Sequence, residues 1–270
     1  MLEVRLAKMT WPEVKARLEE TDVVLMPTGA IEQHGPHLPL DTDIAIAEGL
    51  ALRIAEAVAD DVKAVVAPGL PVGASAASMS YPGSLTLDEV TLLAVWEQVV
   101  KGLIHHGFKK VIIVNGHGGN RALLSTLINR VARETGAFLA TMMSISIQPA
   151  LVRELLESES GQWGHACEIE TSLAMALGIR AEMDRAVNEV VEVAGVLSDY
   201  WPFNAPKVPI TFSQPYDEWA ASGWQGVMGD ARLASLAKGQ RLLEGAVAAG
   251  AQLCRNARAL PVTLKPFNFP

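Results

Sequence analysis

The stretch VVLMPTGAIEQHGPHLPLDTD, residues 23–43, begins as an unbroken apolar run, crosses a polar loop and enters a helical pattern. Residues 23–26 lack polar alternation, which predicts a strand buried on both faces. A helix is expected over 42–59, and the same alternation recurs along the chain. Strands are expected at 62–67, 111–115 and 138–143, with helices at 87–106 and 120–135 between them. Strand–helix alternation of this kind predicts an α/β fold with a largely parallel central sheet. Thr86, Leu87, Asp88 and Glu89 have capping-box spacing at the start of the second helix, and Gly107 stops it. Asn120 is the expected N-cap of the third helix, and Gly136 follows its end. From 180 to 230 the pattern loosens into scattered Trp and Pro, read as an excursion serving as a lid or an oligomer contact. A last helix at 231–256 closes what reads as one domain over 1–270.

The 270 residues carry 22 Lys+Arg against 30 Asp+Glu, a net charge of −8, so no overall field draws the chain to nucleic acid or anionic membrane. Cys167 and Cys254 make no disulfide framework and fit a reducing compartment. Eight charged residues within the first twenty leave no room for a signal-peptide apolar region. The long uncharged stretch 64–87 is interrupted by three Pro and three Gly, so a spanning helix does not fit. A cytoplasmic protein without a nucleic-acid or membrane partner is expected.

Three short segments concentrate the reactive side chains. In residues 29–43, Glu32, His34, His37, Asp41 and Asp43 follow a strand and precede a helix, the place where open α/β sheets hold ligands. Carboxylate and imidazole at that density suit zinc, manganese or iron(II); the plainer alternative is a polar loop capped by Asp41 or Asp43. In the second segment, Asn115-Gly116-His117-Gly118-Gly119-Asn120, glycines leave one imidazole unobstructed, and neither the P-loop nor the dinucleotide pattern is present. The third runs from Trp163 through His165, Cys167, Glu168 and Glu170 into a helix. Regular helical spacing puts His165 and Glu168 on one face and turns Glu170 about 200° away from Glu168. Glu168 is therefore the expected partner of His165, with Glu170 the alternative if the first turn is irregular. Cys167 reads as a packed small residue, and His105 and His106 as structural groups at a helix end.

Together the segments resemble the creatininase (creatinine amidohydrolase) family. The motif Glu32-Gln33-His34-Gly35-Pro36-His37-Leu38-Pro39, then Asp43, Asn115-Gly116-His117 and His165-Ala166 with Glu170-Thr171-Ser172 follow in the family's order, as do Tyr81-Pro82-Gly83-Ser84 and Gly229-Asp230. The resemblance implies a three-layer α/β/α sandwich, assembly as a homo-oligomer (a hexamer) and two divalent ions per subunit, zinc or manganese, with iron compatible. It implies that Glu32 and His117 hold one ion, His34 the other, and Asp43 both, with His165 moving a proton beside the substrate. Asp41 and His37 would support these groups without binding metal.

Two departures bear on the substrate. Creatininase proper carries a glutamate two residues after the motif histidine, where this chain has Gly119; Glu168 is the expected replacement, with Glu170 as the alternative ligand. Gly118 replaces an aromatic residue, and Ala76-Ala77-Ser78 stands where many relatives have Pro-Glu-His. Ser78, Gly118 and Trp163 are the expected substrate contacts. The implied chemistry is hydrolysis of an amide C–N bond in a small cyclic amide or formamide, by a hydroxide bridging two metals. The alternatives within the family are opening of a cyclic polyol ketone, deformylation of a formyl-aminopyrimidine nucleotide, and trimming of a peptide in cofactor maturation. The three segments hold no Lys or Arg, which argues against a phosphorylated nucleotide. A metal-stabilised scaffold without catalysis is the alternative from another class.

Overall fold

The computed structural model describes residues 3–145, 148–191 and 220–269. Its chain order is α1 (Trp11–Glu20), β1 (Val23–Thr28), α2 (Thr42–Ala57), β2 (Val65–Val66), α3 (Glu89–His106), β3 (Lys110–Asn115), α4 (Arg121–Thr135) and β4 (Phe138–Met143), followed by α5 (Pro149–Leu155), α6 (Glu168–Ala176), β5 (Asn188–Glu189), β6 (Gly229–Asp230) and α7 (Leu236–Ala259). Strands β1 to β4 form one parallel sheet in the order β2-β1-β3-β4, and β5 and β6 pair antiparallel on their own. Among the described residues no helix is long and apolar enough to cross a membrane.

Alternate residues of the central strands feed two cores, which makes the molecule a three-layer α/β/α sandwich. Leu25, Ile112 and Val114 pack with Ile46, Leu50 and Ile54 of α2, Leu173 of α6 and Cys254 of α7. Val24, Met26, Val111 and Ile113 face the other way, onto Trp96 and Val100 of α3 and Leu124 and Leu127 of α4. Each such fully buried side chain contributes about 1.5–3 kcal/mol.

Several element ends differ from the sequence expectation, each for a local reason. β1 continues through Pro27 to Thr28. The carbonyls of Leu25 and Pro27 and the N–H of Gly29 all face the β2 side, where β2 has already ended at Val66. The proline therefore lacks a donor only where no strand is present to receive it. β2 shrinks to two residues because Lys63, just before it, has a positive φ of 57° and turns the chain. Asp88, not Thr86, caps α3, accepting from the N–H groups of Val90 and Thr91, while Thr86 Oγ1 accepts from Ser75 N. Asn120 makes no cap bond; its amide donates to Gly29 O and Asn115 Oδ1 and its oxygen accepts from Ala74 N, tying three loops together. The last helix begins at Leu236 after a short 3-10 turn at Ala231–Leu233. Of the expected excursion at 180–230, residues 192–219 lie outside the described residues, and with them Trp201 and Trp219.

The connection out of β1 runs to β2 on one side, and the chain then crosses to β3 on the other side of β1. The strand order thus reverses between β1 and β3, and ligands of open α/β sheets bind outside the carboxyl ends at such a point. Gly29 and Gly116, just past these two strands, bring α2 down onto them. A Cβ on Gly29 would lie 2.4 Å from Ile44 N, and one on Gly116 would lie 2.1 Å from Asp43 O. Only glycine allows this approach, and it sets Asp43 directly over the reversal point.

Candidate metal centre

Six side chains from three loops and two helix starts meet at that point: Glu32, His34, Asp43, His117, His165 and Glu170. His117 Nδ1 lies 3.1 Å from Glu32 Oε1 and 3.0 Å from Asp43 Oδ2. His34 Nε2 lies 3.2 Å from Asp43 Oδ1 and 3.7 Å from Glu170 Oε2. His165 Nδ1 lies 3.6 Å from Glu32 Oε1, and its ring sits 4.4 Å from that of His34. The ligand atoms fall into three overlapping trios: Glu32–Asp43–His117, His34–Asp43–Glu170 and Glu32–His34–His165. Asp43 belongs to the first two, one carboxylate oxygen facing each.

The far nitrogen of every imidazole meets a main-chain oxygen. His34 Nδ1 is 3.1 Å from Glu32 O, His117 Nε2 is 3.0 Å from Ala74 O, and His165 Nε2 is 2.8 Å from Gln33 O. A proton held toward each carbonyl leaves the other nitrogen's lone pair aimed at the carboxylates, which is how proteins orient histidines for a cation. The carboxylates are supported likewise. Ser78 Oγ donates to Glu32 Oε2 at 2.9 Å, and Ala166 N donates to Glu170 Oε2 at 2.6 Å. Asp43 Oδ2 is buried, lies 3.0 Å from His117 Nδ1 and has no other polar partner among the described residues.

Electrostatics point the same way. Glu32, Asp43 and Glu170 are each about 2% exposed, and among the described residues no Lys or Arg pairs with any of them. Burial opposes charge on the imidazoles, yet the carboxylates outweigh it, pushing His34 up to about 10 and His117 well above its ordinary value. Burial, reinforced by Asp43 and Glu32, lifts Glu170 to about 7 against the pull of His34. Burial and His34 bring His165 down to about 4, so it is neutral at neutral pH. Protons on His34 and His117 thus neutralise buried carboxylates, a role that a divalent cation fills with far better matched charge. The donor set of oxygens and imidazole nitrogens fits zinc or manganese.

Glu168 is a correction to the sequence reading. Its carboxylate is fully buried but turned away from the cluster: it accepts from the N–H groups of Glu157 and Ser158, both at 2.8 Å, and from Lys238 Nζ at 2.9 Å. Glu170 reaches the cluster in its place. Helical spacing misled because α6 starts only at Glu168, and Ala166 before it has a left-handed φ of 50°. His165 therefore lies outside the helix, and the three-residue rule relating it to Glu168 does not apply.

Ser78, an expected substrate contact, is instead buried and bonded to Glu32. Trp163 and Gly118 do line a cavity, of about 340 Å³, together with Asp43, His117, His165 and Glu170. Asp41 stands exposed at the N-cap of α2 without a cap bond. His37 is buried with Nε2 2.9 Å from Thr171 Oγ1, and burial followed by the His34 charge lowers it to about 4. Cys167 and Cys254 are buried free thiols. A Cβ on Gly119 would come within 2.4 Å of His117 Nε2 and 2.5 Å of Ala74 O, so a side chain there would break the bond that orients His117. Sequence reading missed the roles of Gln33, Asn115 and Asn120. Asn115 brackets His117, its Oδ1 accepting from the residue's N–H and its Nδ2 donating to the carbonyl. The signal for Asn115 and Asn120 was an amide side chain at each edge of a glycine-rich turn.

A family model described as creatinine amidohydrolase, Creatininase, matches residues 7–254. The creatinine amidohydrolase of Pseudomonas putida is 29% identical over 262 residues, covering 89% of this chain and 92% of that protein. A mycofactocin precursor peptide peptidase of Mycobacterium tuberculosis (strain ATCC 25618 / H37Rv) is 28% identical over 239 residues, covering 83% of this chain and 81% of its own. A solved structure described as manganese creatininase superposes with a TM-score of 0.75 at 26% identity, over 96% of this chain and 100% of that one. A zinc–zinc form of a creatininase mutant gives 0.75 at 25% identity, with the same coverage.

Proposed function

Because the chain belongs to the creatininase family, we propose that it is a metal-dependent hydrolase cleaving an amide-type C–N bond in a small cyclic amide or formamide. Two divalent ions would be held, one by Glu32, Asp43 and His117 and the other by His34, Asp43 and Glu170. The observation that carries this reading is the pair of ligand trios sharing Asp43, with each imidazole backed by a main-chain oxygen, at the wall of a cavity. Zinc or manganese bound there supplies Lewis acidity, polarising a carbonyl and bringing the pKa of water toward neutrality.

The chain's own groups do the rest. Glu32, Asp43 and Glu170 supply the negative charge that holds the cations, and Ser78 and Ala166 N keep two of those carboxylates in place. His165 is neutral and lines the cavity, with Nδ1 facing the cluster and Nε2 within 2.8 Å of both the main-chain oxygen and the side-chain amide of Gln33. One neighbour accepts a proton and the other donates one, so Gln33 accommodates either state of Nε2. Nδ1 can take a proton from water as it adds to the carbonyl carbon and return it to the leaving nitrogen as the C–N bond breaks. The products are a carboxylic acid and an amine. A cavity of about 340 Å³ suits a small substrate, at the low end of the usual range of about 300–1,000 Å³.

The test is metal reconstitution after chelation, with ions counted per chain and hydrolysis followed on creatinine, hydantoin, neutral and acidic formamides and a cyclic polyol ketone. Two ions, chelator-sensitive turnover of an amide, and loss of one ion in Glu170→Gln are expected. Turnover that survives chelation, or no turnover with both ions bound, overturns the reading, the latter in favour of the scaffold.

A further inference from the structure

We infer that the substrate carries an anionic group, recognised by Arg121 and Arg153 in the same cavity as the metal-site residues. Both residues line that cavity with His117, His165 and Trp163. Neither belongs to the three motif segments; Arg121 follows the second one directly, as the first residue of α4, and Arg153 comes from α5. The fold thus brings in the cationic groups that the motifs lack.

What singles them out is the absence of partners in a chain that has carboxylates to spare. Of thirteen arginines, ten have a carboxylate within 4.0 Å among the described residues. The exceptions are Arg121, Arg133 and Arg153. Arg133 lies in the last turn of α4, where the helix dipole favours a cation. Arg121 lies at the opposite end of that helix, where the dipole opposes a cation, and nothing among the described residues neutralises it. Arg153 occupies a favourable last turn, but it is exposed, lines the cavity and has no carboxylate or hydrogen-bond partner among the described residues. Two exposed arginines lining one cavity, unpaired among the described residues, are a ready receptor for a carboxylate or phosphate, which each guanidinium can bind through paired N–H donors.

The inference deepens the hydrolase proposal and rests on it for the reaction, though not for the binding. Its substrate class is an amide or formamide bearing a carboxylate or phosphate on the part of the molecule away from the scissile carbonyl. Neutral rings such as creatinine lack the group these arginines would hold.

The test uses metal-loaded full-length protein and three matched probes: N-formyl-β-alanine, its neutral primary amide, and the phosphate ester of N-formylethanolamine. Calorimetry should show at least one acidic probe binding about tenfold or more tighter than the neutral amide. In Arg121→Gln/Arg153→Gln that preference should vanish, with circular dichroism and metal content unchanged; Arg121→Lys/Arg153→Lys should keep part of it. Whichever acidic probe binds tighter identifies the anion. Equal affinity for acidic and neutral probes, or a preference that survives the double Gln variant, overturns the proposal. Turnover is read separately. Arginine-dependent binding without cleavage leaves this inference standing and counts against the hydrolase reading, whereas cleavage of acidic and neutral probes alike does the reverse.

Discussion

Replacing Lys238 with Met separates the structural glutamate of α6 from the one that faces the side-chain cluster. Lys238 Nζ donates to Glu168 Oε1 at 2.9 Å and to Leu233 O at 2.8 Å, and lies 3.1 Å from Glu157 Oε2. Glu168 is wholly buried, and its other bonds come from the N–H groups of Glu157 and Ser158. Methionine keeps the apolar stem and removes the only cation paired with Glu168 among the described residues, leaving a buried carboxylate held by two backbone donors. Breaking a buried pair on one side costs about 3–5 kcal/mol. At about 2–4 °C per kcal/mol for a chain of this size, the melting temperature should fall by about 6–20 °C. The double variant Lys238→Met/Glu168→Leu removes both charges; it should recover part of that loss, though not all, because the two N–H groups lose their acceptor. Scanning calorimetry at saturating zinc measures the shift, and elemental analysis counts bound metal. Lys238→Met should still bind the wild-type number of ions, since no atom of this network belongs to either trio. A variant that melts within about 2 °C of wild type, or that keeps its melting temperature while losing an ion, would refute the assignment.

Three further outcomes are expected. Metal uptake at pH 8 should release about two protons per chain, because His34 and His117 are both raised by the carboxylates around them. Affinity should therefore climb with pH in that range, and calorimetry in two buffers of different ionisation enthalpy measures the release; uptake without protons contradicts the charge assignment. Ser78→Ala frees Glu32 Oε2 from its donor and should weaken metal binding by about 10–100-fold without unfolding the protein, as a competition titration with a chelator would show. The two thiols should resist a disulfide reagent in the native state and react on unfolding, since burial pushes Cys167 up to about 11 and Cys254 up to about 12. Rapid labelling of either native thiol would mean that its surroundings open.

The layered fold was legible because β1 and β3 are buried on both sides, and an apolar run without alternation carries that fact in the sequence itself. The position of the side-chain cluster was legible for a related reason: the carboxylate-rich and glycine-rich segments both leave strands at their carboxyl ends. What escaped was whatever depends on backbone geometry between elements. Ala166 in the left-handed region ends any regular relation between His165 and Glu168, and alanine gives no sign of it. Ser78 and Asn120 were read through their neighbours in sequence, whereas their partners Glu32 and Gly29 are 46 and 91 residues away. Arg121 and Arg153 share a cavity only after α4 and α5 have packed, so a segment-by-segment search for cations passes over them.

The identity of the second carboxylate follows from packing as much as from chemistry. Three carboxylates buried within one cluster are unfavourable unless matched by positive charge, and a single dication leaves them one charge short. Two dications, as proposed, would leave a surplus of one positive charge to attract an electron-rich substrate oxygen at the cavity wall. Access of a carboxylate to the second trio from the glycine turn is closed, because a Cβ on Gly119 would collide with His117 and the Ala74 carbonyl that orients it. The approach left open is from the start of α6, where the turn at Ala166 aims Glu170 at His34 and fixes its oxygen with the Ala166 N–H. The glycine at 119 and the left-handed alanine at 166 are thus two parts of one arrangement: the first keeps His117 seated on its carbonyl, and the second delivers the carboxylate that residue 119 has no room to supply.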